Sequence, residues 1–64
     1  MIPTIEFRIK ANPCGGFIGR GSHASTEAAS FGRTEDEVRA NIPLAVAEIQ
    51  KRGDWPRQVD VVVK

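Results

Sequence analysis

The chain has little of what small domains use to staple themselves together. Its 64 residues include one cysteine, Cys14, and one histidine, His23. A lone cysteine closes no internal disulfide, and one cysteine with one histidine is too few for a structural zinc site. No apolar run reaches the roughly eighteen residues of a membrane-spanning helix. The opening residues lack the basic-then-apolar layout of a signal peptide, so a cytoplasmic protein with a free thiol is expected. Nor is there an excess of one charge. The net charge is +1 and the basic residues are scattered, whereas a dedicated nucleic-acid binder gathers them on one face.

These absences bound the answer. A chain this short forms one domain, residues 1–64, and buries only about 60% of its unfolded surface. With the disulfide and metal routes closed, oligomerisation is the remaining source of stability, and a homodimer is expected. Nothing in the sequence calls for a cofactor.

What is present is a set of periodic segments. Residues 4–10 alternate strictly, with Ile5, Phe7 and Ile9 on one face and Glu6, Arg8 and Lys10 on the other, as in a half-buried strand. Asn12-Pro13 and Gly15-Gly16 then signal a turn. Residues 16–21 read as a second strand whose glycines imply a bulge or a close backbone approach. A turn at Ser22-His23 leads to a third strand over residues 25–31, the weakest element because Glu and Ala are poor strand formers. Residues 59–63 close the chain as a fourth strand rich in β-branched residues.

Between the third and fourth strands lies a helix, predicted over residues 35–52. Thr34 and Glu37 form a capping box, and Glu35, Asp36 and Glu37 sit at the positive end of the helix dipole. Val38, Ile42, Ala45, Val46 and Ile49 make one apolar stripe. Lys51, Arg52 and Gly53 provide a cationic last turn and a left-handed cap. Pro43 conflicts with this, because an interior proline costs about 3 kcal/mol. The stripe keeps phase across it, so a kink with Pro43 facing solvent is expected; two short helices are the competing reading.

The expected fold is therefore α+β, in the order β-β-β-α-β. Three strands form an antiparallel meander, the last strand lies parallel to the first, and one helix covers one face. The other face would carry Glu6, Arg8, Lys10, Asp60 and Lys64, interrupted by Val62.

Gly15-Gly16-Phe17 after the first strand, then Gly32-Arg33-Thr34 leading into Glu37-Val38 and Asn41-Ile42, resemble the HicB-like antitoxin domain over residues 4–50. The resemblance implies a partial ribonuclease-H-like sheet, self-association, and an inhibitory role in a toxin-antitoxin system. Such a domain binds and covers a partner protein, a small RNA-cleaving toxin called HicA. A second resemblance points elsewhere: Gly21-Ser22-His23 is similar to the Gly-Ser-His segment of that toxin, whose histidine serves RNA cleavage. The toxin fold places a helix before its strands, whereas residues 4–10 alternate as a strand.

Candidate residues follow from these readings. His23 as a general acid or base would need an orienting partner, and spacing alone supplies no carboxylate. Cys14, in a Pro-Cys-Gly-Gly turn, lacks the electropositive setting of a nucleophile. The glycines run from strand to strand and make no phosphate cradle, which opens onto a helix. Arg20, His23, Leu44 and Trp55 remain as candidate partner contacts; Trp55 is also placed to cover the edge of the core. Three functions compete: a non-enzymatic protein-binding module, a small RNase acting through His23, and a nucleic-acid-binding domain using the charged sheet face.

Overall fold

A computed structural model describes residues 2–64. Four strands and one helix follow in the order β1 (Thr4–Ala11), β2 (Phe17–His23), β3 (Thr26–Gly32), α1 (Glu35–Arg52) and β4 (Asp60–Val63). The sheet order is β3-β2-β1-β4, with β1–β2 and β2–β3 antiparallel and β1–β4 parallel. This is the expected α+β meander with a returning parallel strand and one helix.

The alternation of β1 sends Ile5 and Phe7 into the core, where both are fully buried. Val38, Ile42, Val46 and Ile49 descend on them from α1. Small residues on the inner face of β2 set how closely the layers approach. A Cβ placed on Gly19 would lie 2.8 Å from Val38 Cγ1, and one on Gly21 would lie 2.8 Å from the Phe7 ring.

The helix ends are fixed locally. Thr34 Oγ1 accepts from the Glu37 amide at 3.1 Å, while Glu37 Oε2 accepts from the amide of Arg33 at 2.9 Å. The return arm of the capping box thus reaches one residue further back than the usual pattern. At the other end Gly53 adopts φ 85°, and the amides of Gly53 and Asp54 bond to Gln50 and Ile49 carbonyls.

α1 is one continuous helix through Pro43, so the reading as two short helices is excluded. Position 43 offers no donor to the Arg39 carbonyl, but Arg39 and Pro43 are both exposed and water can serve that oxygen.

The second hairpin departs from expectation. Ser22 and His23 belong to β2, and His23 pairs with Thr26. The turn is Ala24-Ser25, with φ of 53° and 65°. Two positive φ values in a two-residue loop are the type I′ geometry, which twists with the strands but favours Asn and Gly. Ala24 and Ser25 carry no such signal, and the turn lies two residues beyond the Ser22-His23 position that the sequence suggests.

β3 forms despite its weak propensity because the helix holds it. Buried Ser30 Oγ donates to the Val38 carbonyl at 2.9 Å, and Asn41 Nδ2 donates to the Phe31 carbonyl at 2.9 Å.

Candidate functional site

The helix covers one side of the sheet and leaves the other open. Register places the open-face residues in rows running across the strands. Lys10 pairs with Ile18, and Ile18 with Phe31; Arg8 pairs with Arg20, and Arg20 with Ala29. Lys64 extends the second row, one residue beyond the Phe7–Val63 pair. Towards the other end of β1, Glu6 pairs with Val62, Ser22 with Glu27, and Thr4 with Asp60.

The face is therefore divided. Lys10, Arg8, Arg20 and Lys64 occupy one half beside the apolar Ile18 and Phe31, and Glu6, Glu27 and Asp60 occupy the other. Phe31 is 58% exposed on this surface. A shallow depression of about 420 Å³ is lined by Arg8, Lys10, Ile18 and Arg20 together with Ala11 and Pro13.

Arg8 and Arg20 stand directly opposite each other on neighbouring strands. Like charges in that position are destabilising. Arg8 has partial relief, since its Nε lies 3.3 Å from Glu6 Oε1. Arg20 makes no ion pair among the described residues.

The four candidate contacts do not form one site. Arg20 sits at the centre of the basic half. Leu44 is 66% exposed on the far side of the helix layer. His23 ends β2 half-buried, its ring edge-on to Trp55 with centroids 6.4 Å apart. No hydrogen bond joins its ring to a carboxylate among the described residues.

Trp55 requires a correction as a partner contact. It is 3% exposed, packs edge-on against Phe7, and donates from Nε1 to the His23 carbonyl at 3.0 Å. Its surface is spent on closing the core beneath the end of β2.

A second surface lies beside β4, which is an edge strand. Ile42, Pro43, Val46, Val59 and Val61 line a groove of about 580 Å³ between α1 and β4, with the exposed Ile2 at its margin. The amides of Asp60 and Lys64 donate to the Pro3 and Phe7 carbonyls. By the two-residue period of a strand, the Val61 and Val63 amides point out along the free edge.

Cys14 is exposed in the β1–β2 turn, its amide donating to Asn12 Oδ1 at 3.1 Å. Among the described residues no group of three or more His, Cys, Asp or Glu side chains is placed to hold a metal ion. Among the described residues no helix is long and apolar enough to cross a membrane.

Compared with family models, curated proteins and solved structures, the chain matches none.

Proposed function

We propose that this chain is a non-enzymatic protein-binding module, resembling a HicB antitoxin, that acts by covering a partner protein such as a toxin RNase. It works in the cytoplasm as a homodimer. The observation that carries this reading is the free edge of β4 beside an apolar groove. Unpaired amides at Val61 and Val63, next to Ile42, Val46 and Val59, are what a strand from another chain needs for pairing and burial. The strand order with β4 parallel to β1 also agrees with the sheet that the resemblance implies.

The RNase alternative draws less support. His23 is packed against Trp55 at the end of a strand, without a group that would orient it for proton transfer.

Val61→Pro tests the edge. It removes one outward donor while sparing the bonds to β1, and proline is tolerated at such positions. Light scattering at tens of micromolar is expected to give a dimer mass for the wild type and a monomer mass for the variant. Circular dichroism confirms that the variant is folded. A monomeric wild type, or a variant that still dimerises, would count against the reading.

A further inference from the structure

The basic half of the open sheet face lies away from the β4 groove and has chemistry of its own. Two arginines face each other across β1 and β2, one without an ion pair, in an arrangement that costs stability when unoccupied. Cross-strand partners have Cβ atoms about 5 Å apart, so two guanidinium groups can reach one anion between them. Guanidinium forks match phosphate oxygens in pairs of hydrogen bonds. Lys10 lines the same depression.

Beside this charge is a flat apolar platform. Phe31 is exposed next to Ile18, and the register makes it the diagonal neighbour of Arg20, about 7–8 Å away. An exposed aromatic ring on a sheet, one step from a cation row, is the arrangement on which nucleic-acid bases stack while the backbone stays on the charges. An acidic peptide would use the arginines and leave the platform without a matching flat group.

We infer that this half-face binds single-stranded nucleic acid, with a backbone phosphate held between Arg8 and Arg20 beside Lys10, and a base stacked on Phe31. The path follows the rows across the strands, because Glu6, Glu27 and Asp60 repel phosphate from the other half. A duplex, whose bases are already stacked, gains nothing from Phe31.

The test is fluorescence anisotropy with labelled oligouridylate and oligothymidylate of about ten nucleotides, a length within the usual range for single-strand binding sites. One phosphate shared by the two arginines and a neighbouring one on Lys10 predict a log–log salt slope of about −1.4, and Arg8→Gln with Arg20→Gln together make it shallower by about 0.7. Phe31→Ala is expected to weaken binding about tenfold at an unchanged slope. Lys51→Gln, on the helix, leaves both unchanged. Circular dichroism verifies that each variant is folded. Equal affinity for the two oligomers places recognition on phosphate and base, while a preference for oligouridylate adds a contact to the ribose hydroxyl; both support the site. Absence of binding at low salt overturns it. So do variants that bind like the wild type, a duplex bound as tightly as the single strand, and an acidic peptide that competes equally well.

Discussion

Phe7 on β1 occupies the space that the missing side chain of Gly21 leaves on β2. A Cβ there would meet the ring at 2.8 Å and the Glu6 carbonyl oxygen at 3.0 Å. Phe7 is fully buried and packed edge-on against Trp55, so it has little room to retreat. Gly21→Ala is therefore expected to lower the unfolding free energy by about 1–3 kcal/mol, the usual cost of overpacking. Urea denaturation followed by Trp55 fluorescence checks this; an unchanged midpoint would contradict the packing described.

The Ala24-Ser25 turn makes the opposite prediction. Each residue adopts a left-handed conformation that costs a non-glycine residue about 1–2 kcal/mol. Replacing the pair by Asn-Gly suits the turn type and is expected to raise stability by about 1 kcal/mol or more. A lower melting temperature for Ala24→Asn/Ser25→Gly would show that the turn differs from the one described.

Pro43 offers a similar gain. It is exposed within a continuous helix and denies one hydrogen bond to Arg39. Pro43→Ala restores that bond and is expected to stabilise the protein, by up to about 3 kcal/mol. Thermal unfolding by circular dichroism reads the difference, and a destabilised variant would mean that the proline ring packs usefully in the groove beside β4.

Trp55 separates a core role from a contact role. Trp55→Ala is expected to cost about 3–5 kcal/mol, as for other large buried aromatics. Trp55→Phe keeps most of the packing but leaves the His23 carbonyl without its indole donor, at about 1–3 kcal/mol. Surface positions change stability by under about 0.5 kcal/mol, so a neutral Trp55→Ala in chemical denaturation would return Trp55 to the surface.

Much of this fold was legible in the sequence. The alternation of Ile5, Phe7 and Ile9 against Glu6, Arg8 and Lys10 defined β1 and its two faces. Thr34, the Val38–Ile49 stripe and Gly53 bounded α1 at Glu35–Arg52. The second hairpin was not legible, because its left-handed positions are filled by Ala and Ser instead of Asn and Gly. The open face was legible, but the pairing across it was not. Only with Arg20 opposite Arg8 and Ile18 between Lys10 and Phe31 do scattered cations become a row. Register is a property of pairing, and a list of basic residues does not contain it. Trp55 lies at the edge of the core as its position after the helix stop implied, but its partner, the His23 carbonyl 32 residues away in the chain, was not legible.

On the proposed function, this chain covers a partner and performs no chemistry of its own. The most direct measurement uses the product of the neighbouring reading frame, purified and incubated with RNA alone and with increasing amounts of this chain. The chain alone is expected to leave the RNA intact. Any cleavage by the neighbour is expected to stop near one-to-one stoichiometry, and His23→Ala to inhibit as well as the wild type. RNA cleaved by this chain alone, and spared by His23→Ala, would contradict the proposed function.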